Sequence, residues 1–273
     1  MQGCAFVVFA RAPVAGQVKT RLFRADQEAA QAALGRTLSA QDAALLHAAF
    51  VEDTLEKGAR CGFASRWLYM ADASEHATLL RLAATYGYAC RVQQGRDLGA
   101  RMAAAFDERL TSAGHLAEPQ AAPGVILVGT DSPTLPMAYL QEAASALTAG
   151  CDLVLGPACD GGYYLIGLRR PLPCLFPVDM PWGTAEVLPQ TLRRLRLLAA
   201  EGVQSHLLPF FYDCDTPADL RLLREHLALS MAAPPAAHAG GSSRVDGSAT
   251  QEVLRQLGLW DPGEQPVREK AGG

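Results

Sequence analysis

CAFVVFARAPVAGQVKTRL, running from Cys4 to Leu22, holds an apolar strand and the loop that leaves it. Cys4–Ala10 is an uninterrupted apolar run of valine, phenylalanine and small residues, which reads as a strand buried on both faces. It is far shorter than the roughly 20 residues a membrane span needs. Arg11 and Pro13 then interrupt it. Without a basic leader segment or a small-residue cleavage site, the run does not read as a signal peptide. The loop carries two backbone breakers, Pro13 and Gly16, and three cations, Arg11, Lys19 and Arg21, with no acid among them. A loop that follows a strand and opens a helix presents backbone N–H groups to an anion, and its cations add charge-assisted bonds. The bland alternative is a solvated basic loop. No G-x-x-x-x-G-K or G-x-G-x-x-G pattern is present.

The same alternation continues outward from this segment. Apolar runs at Arg66–Met70, Ala89–Gln93, Val125–Val128, Leu153–Gly156, Tyr163–Leu168 and Ser205–Tyr212 read as strands. Between them, helical spacing marks Gln27–Lys57 (two helices, broken near Gly35 or Ser39), Glu75–Tyr86, Leu98–Leu110, Met137–Ala149, Ala185–Glu201 and Leu220–Ser230. Short apolar strands separated by helices predict an α/β fold, a mostly parallel sheet covered on both faces. Ligands of such sheets bind beyond the carboxyl ends of the strands, so the residues after each strand carry the most weight.

Composition sets the outer limits. The chain has 273 residues, 49% of them hydrophobic and 19% charged, enough for a large core and too apolar for global disorder. Twenty-four basic against 28 acidic residues give a net charge of −4. With no extended basic stripe, a general nucleic-acid binder is excluded, although one small anionic ligand is not. The seven cysteines are scattered without C-x-x-C spacing, which predicts buried thiols in a reducing cytoplasm. Residues 1–230 form the expected domain. Residues 231–273 read as a flexible Ala/Gly/Ser/Pro-rich tail, with a possible short helix at 250–260 carrying Val253, Leu254 and Leu257 on one side.

Four later segments can carry chemistry. In ILVGTDSPTLP, Ile126 to Pro136, Asp131 stands just past an apolar strand, and Pro136 delays the next helix, which weakens a purely capping role. YDCDTPADL places Asp213 and Asp215 after a late strand. Two carboxylate positions at strand ends suit Mg²⁺ (or Mn²⁺), which takes one or two carboxylates together with phosphate oxygens. In GPACDGGYYLIGL, Asp160, Gly161 and Gly162 form either a hairpin turn or a close approach to a ligand, and Tyr163 and Tyr164 should face opposite sides of their strand. In PWGT, Trp182 can line an acceptor pocket and Thr184 can cap the following helix. The histidines form no H-x-x-x-H pair, and the absence of a G-x-S-x-G elbow leaves a serine hydrolase unsupported.

FARAPVAGQVKTRL, GTDSPTL, GPACDGGYYLIGL, PWGTAEVL and DCDTPADL occur in an order that resembles the DUF2064 proteins, also called transferase 1 associated with radical-SAM and selenodomain proteins. The resemblance covers about Cys4 to Leu229. Arg11 stands where lysine is frequent and Gly183 where serine is common. The resemblance implies a nucleotide-diphospho-sugar transferase (GT-A) fold but leaves the reaction open. It further implies a nucleotide or nucleotide-sugar and a small-molecule acceptor as partners; the charge balance and the short apolar runs argue against nucleic acid and membrane.

On these residues, Ala10, Arg11, Ala12, Pro13, Gly16, Lys19 and Arg21 are expected to bind the nucleotide. Lys19, Arg21 and Asp131 are the expected catalytic residues. Asp131 and Asp215, with Asp213, are the expected metal ligands, and Asp160, Gly161, Gly162, Tyr163, Trp182 and Thr184 the acceptor side. A nucleotidyltransferase must neutralise a triphosphate, and the cationic loop suits that task. A glycosyltransferase usually carries D-x-D after a central strand, whereas Asp131-Ser132-Pro133 has one aspartate and D-x-D appears only at Asp213-Cys214-Asp215. Nucleotidyl transfer is therefore favoured, with glycosyl transfer as the alternative and a non-catalytic nucleotide-binding protein as the third class.

Overall fold

In the computed structural model, which describes residues 3–71, 76–111, 123–232 and 247–260, seven strands form one sheet in the order β3-β2-β1-β4-β6-β5-β7. These are β1 (Ala5–Ala10), β2 (Ser65–Met70), β3 (Ala89–Val92), β4 (Val125–Val128), β5 (Leu153–Pro157), β6 (Tyr163–Leu168) and β7 (Ser205–Leu207). Only β6 runs against its neighbours, pairing antiparallel with β4 and β5. The α/β, mostly parallel expectation holds.

Every residue of β1 is buried, and successive side chains enter different cores. Phe6, Val8 and Ala10 join a cluster with Val51, Leu55, Leu79, Leu82, Leu140 and Leu147. Those partners come from α3 (Ala40–Arg60), α4 (Ala77–Tyr86) and α6 (Met137–Thr148). Ala5, Val7 and Phe9 pack on the other face with Met102 and Phe106 of α5 (Leu98–Thr111) and Leu188 and Leu195 of α7 (Val187–Ala200). The period-two pleat thus explains why an all-apolar run is needed: both faces are covered.

Several boundaries differ from the sequence reading. A one-turn helix, α1 (Thr20–Phe23), follows the basic loop, and α2 (Gln27–Leu34) precedes α3. Both proposed breakers act between α2 and α3. Gly35 ends α2 at φ 72, and Ser39 starts α3 in a reciprocal capping box with Asp42. β7 stops at Leu207, not Tyr212, since Pro209 has no N–H for a ladder. Only an isolated bridge, Ala158 to Phe211, continues that pairing. Thr184 does not cap α7. Glu186 occupies the N-cap without a side-chain bond, and Thr184 Oγ1 instead donates to the Pro181 carbonyl at 2.8 Å.

A third core lies beside the first. Leu22, Leu46, Phe50 and Cys214 meet Leu220, Leu223 and Leu227 of α8 (Pro217–Ala232) and Leu254, Leu259 and Trp260. The last three belong to α9 (Ser248–Gln256) and the turn after it. The short helix expected at 250–260 therefore starts two residues earlier and is packed on α3, beyond the expected domain boundary at residue 230. Most of the Ala/Gly/Ser/Pro-rich stretch before it lies outside the described residues. Asp53 of α3, 1% exposed, accepts from the backbone N–H groups of Ala249 and Thr250 at 2.8 and 2.9 Å. It also accepts from the Thr250 hydroxyl at 2.5 Å, and so satisfies the exposed donors of the α9 N-terminus. All seven cysteines are free thiols, but against the expectation only Cys4, Cys61 and Cys214 are buried, while Cys159 and Cys174 are exposed. Among the described residues, no helix is long and apolar enough to cross a membrane.

Candidate active site

The loops leaving β1, β3, β4 and β5 and the start of the antiparallel β6 share one edge of the sheet. A cavity of about 780 Å³ opens there. Its lining includes Ala10, Arg11, Lys19 and Arg21 from the first loop and Asp131 and Ser132 after β4. Asp160, Gly162 and Tyr163 line it from the β5–β6 turn, Trp182 and Thr184 from the segment before α7, and Asp213 and Asp215 from the segment before α8. Four of the expected residues lie outside this lining: Ala12, Pro13, Gly16 and Gly161.

Their positions have local reasons. Gly16 (φ 84) is the third residue of a turn closed by Gln17 N–H to the Val14 carbonyl at 3.0 Å, where positive φ favours glycine. Gly161 (φ 92) touches Ala185, where an added Cβ would stand 2.5 Å from both Cα and O. Its carbonyl accepts from Leu188 N–H at 2.8 Å, so it docks the segment before α7. The Asp160 turn is indeed a hairpin connection, with Asp160 Oδ1 accepting from Gly162 N–H at 2.8 Å. Tyr163 and Tyr164 alternate across the sheet as expected, yet both rings pack against core clusters. Trp182 lies over Gly99, where a Cβ would stand 2.4 Å from the indole.

At the cationic end, Lys19 ties the acidic motifs together. Its side chain is 3% exposed, and its Nζ lies 2.5 Å from Asp131 Oδ1 and 3.0 Å from Asp215 Oδ1. The same ammonium donates to the Cys214 carbonyl at 2.7 Å. Cys214 N–H donates to the Asp131 carbonyl at 2.8 Å, which fastens the DCD segment to the end of β4. Arg21, more exposed, reaches Asp215 Oδ2 at 3.5 Å. Burial alone would push the Asp131 carboxyl up, but Lys19, with His47 and Arg11, outweighs it and holds Asp131 below the usual carboxylate range. Lys19 is raised for the reciprocal reason.

Asp213 behaves oppositely. Burial first, and then the charges of Asp160, Asp131 and Asp215, push it up to about 7, against the pull of Ser132 Oγ donating to its Oδ1 at 2.8 Å. The folded protein thus keeps a proton there that the unfolded chain gives up near pH 4. Stability should fall as pH rises from about 4 through about 7, because the native state binds more protons over that window. Asp213→Asn keeps an acceptor for Ser132 and should flatten this slope. Denaturant titrations should find it more stable than the parent at about pH 8. An unchanged slope would place its origin elsewhere.

Sequence reading missed a second wall of the cavity. Gln93, Asp97, Leu98, Arg101 and Met102 line it from the end of β3 and the start of α5. They follow a strand, and the strand-end rule applied there would have found them. His47 stands in α3, outside every motif that the sequence offered. It also lines the cavity, and a ring nitrogen, Nε2, lies 3.1 Å from the Arg11 carbonyl. Burial pushes its pKa down, so the ring is held toward the neutral form. Its partner lies 36 residues away, a pairing no local motif displays.

Among the described residues, no group of three or more His, Cys, Asp or Glu side chains is arranged to hold a metal ion. Mg²⁺ does not require such a cage when phosphate oxygens and water complete its shell. The relevant observation is that Asp131 and Asp215 already share one cation, the Lys19 ammonium. This donor set fits a divalent ion shared between two carboxylates.

The family described as "Uncharacterized protein conserved in bacteria (DUF2064)" matches residues 54–184. The match takes in GTDSPTL, GPACDGGYYLIGL and the start of PWGTAEVL, and leaves the basic loop and DCDTPADL outside. Among solved structures, this chain is similar to a protein of Desulfovibrio desulfuricans G20 described as a "putative nucleotide-diphospho-sugar transferase". The two are 28% identical with a TM-score of 0.69, over 95% of this chain and 97% of that one. A cytidylyltransferase from Leptospira borgpetersenii serovar Hardjo-bovis is 10% identical with a TM-score of 0.51, over 97% and 99%. At that identity the likeness is one of fold. The GT-A-like fold class stands. No curated protein matches the chain.

Proposed function

We propose that the protein is a transferase that uses a nucleotide, passing a nucleotidyl group from a nucleoside triphosphate to a small phosphorylated or hydroxyl acceptor. The observation that carries this reading is the meeting of Arg11, Lys19 and Arg21 with Asp131, Asp213 and Asp215 in one cavity. A triphosphate presents several negative charges and releases pyrophosphate, and the cationic loop supplies the opposing charge. Asp131 and Asp215 would hold Mg²⁺ or Mn²⁺, which supplies charge neutralisation at the reacting phosphate. Arg11 and Arg21 bind and orient the phosphates. The hairpin at Asp160 and Gly162, with Tyr163, Trp182 and Thr184, bounds the acceptor side. Catalysis then consists of positioning and charge stabilisation, with no covalent protein intermediate.

Glycosyl transfer from a nucleotide-diphospho-sugar is the second reading. The description of the Desulfovibrio relative supports it, as does the closeness of the D-x-D at Asp213–Asp215 to Asp131. Calorimetry with mono-, di- and triphosphates and nucleotide-sugars in Mg²⁺ separates the two. Nucleotidyl transfer expects the triphosphate to bind tightest and Arg21→Ala to weaken it by about ten- to a hundredfold, the size of one charge-assisted contact. The monophosphate should barely respond. Equal affinity for di- and triphosphate in both proteins would sink the nucleotidyl reading.

A further inference from the structure

Lys19 has no spare hydrogen to offer a phosphate. An ammonium has three N–H donors, and here three acceptors surround it: Asp131 Oδ1, Asp215 Oδ1 and the Cys214 carbonyl. It also sits between the two carboxylates, on Oδ1 of each. Building on the metal-dependent reading above, we infer that Lys19 is the resident counter-ion of this site: it holds Asp131 and Asp215 together and passes to the phosphates only when a divalent cation displaces it.

Three observations support the exchange. An ammonium seated on Asp131 Oδ1 and Asp215 Oδ1 competes with a divalent ion for those two oxygens, and the repulsion between two cations at such close range favours exchange over joint occupancy. The backbone of Lys19 lies at φ 47, ψ 42, and it is the only non-glycine residue with positive φ among the described residues. Such a left-handed residue is strained, and it persists where surrounding contacts over-determine it, here the three bonds of the ammonium. Finally, Lys19, Thr20 and Arg21 line the same cavity consecutively, so a phosphate at Arg21 is beside the released ammonium. Lys19 thereby acts as a positioning residue for the two aspartates before the nucleotide arrives. Metal and nucleotide then enter together, because each meets a partner that the other sets free.

The test measures Mn²⁺ alone, without nucleotide, by the loss of its free-ion paramagnetic resonance signal. The full-length parent, Lys19→Met and Lys19→Arg are compared. Lys19→Met removes the competing charge and should bind Mn²⁺ about tenfold or more tightly than the parent. Mn²⁺ should also raise its Tm, while Lys19→Arg should restore weak binding. If Mn²⁺ binds the parent and Lys19→Met equally, Lys19 is a fixed strut and the inference falls while the metal reading stands. If none of the three binds Mn²⁺, even with inorganic triphosphate added, the metal reading falls and takes this inference with it. Should Lys19→Met fail to fold, the parent decides. The Lys19 side-chain resonance in ¹³C,¹⁵N-lysine protein, assigned by its absence from Lys19→Arg, should shift on adding Mg²⁺ with inorganic triphosphate. An unmoved resonance overturns the exchange.

Discussion

Asp131→Asn is expected to lower Mg²⁺-dependent triphosphate affinity by about a hundredfold or more, since loss of even outer partners of a metal ligand costs ten- to a hundredfold. Asparagine keeps an oxygen facing Lys19 but loses the charge that helps hold a cation. The fold should suffer far less. Lys19 retains Asp215 and the Cys214 carbonyl, so about 1–2 kcal/mol is the expected cost to stability. Calorimetry with Mg²⁺ and then with a chelator measures the first effect, and denaturant titration the second. Parent affinity that ignores the chelator would take Asp131 out of the proposed role. A loss of affinity matched by wholesale unfolding would instead make it structural.

Gly161→Ala should have the largest effect on stability. The backbone there is left-handed (φ 92), and the new methyl would stand 2.5 Å from the Ala185 backbone. The φ penalty and the overpacking together amount to roughly 3 kcal/mol. A loss of about 6–12 °C in Tm follows for a domain of this size. Gly16→Ala is the matched control: its φ is 84, but nothing lies within 4 Å of the added Cβ. It should cost about 1 kcal/mol. The difference isolates the contact with Ala185. Hydrogen exchange should also show faster opening of the Leu188 amide in Gly161→Ala, as that amide bonds the Gly161 carbonyl. Equal losses in the two variants would assign the whole effect to φ.

Strand ends were the legible part of the site. Asp131, Arg11 and Lys19 follow apolar runs too hydrophobic to be anything but buried strands, and the sheet's directionality carries them to one edge. The order of the strands was not legible, because β6 turns back through a five-residue hairpin connection that also reads as a ligand loop. Nor were the partners of Lys19. Its bonds reach 195 and 196 residues along the chain, and only folding shows that the same ammonium meets Asp131, Cys214 and Asp215. Thr184 had the right chemistry for a cap two residues too early, and Glu186 holds that place without a side-chain bond. His47 lay hidden for a different reason: in α3 its neighbours are apolar, and its role depends on a carbonyl in another loop.

The docking of α9 has a consequence for the order in which the molecule can be completed. Phe50, whose ring lies 5.1 Å beneath the Lys19 ammonium, belongs to the core that Leu254, Leu259 and Trp260 close. Gly247 at the start of that segment lies near the loop after β4: a Cβ added there would stand 3.4 Å from Thr134 Cγ2 and 3.8 Å from the Pro133 carbonyl. On the ribosome, the sheet and the acidic loops can therefore assemble first, yet the core behind Phe50 is not closed until residue 260 has emerged. Maturation of the pocket is thus timed by the last described helix, so a stalled or prematurely ended chain carries every charged group of the site on an unfinished base.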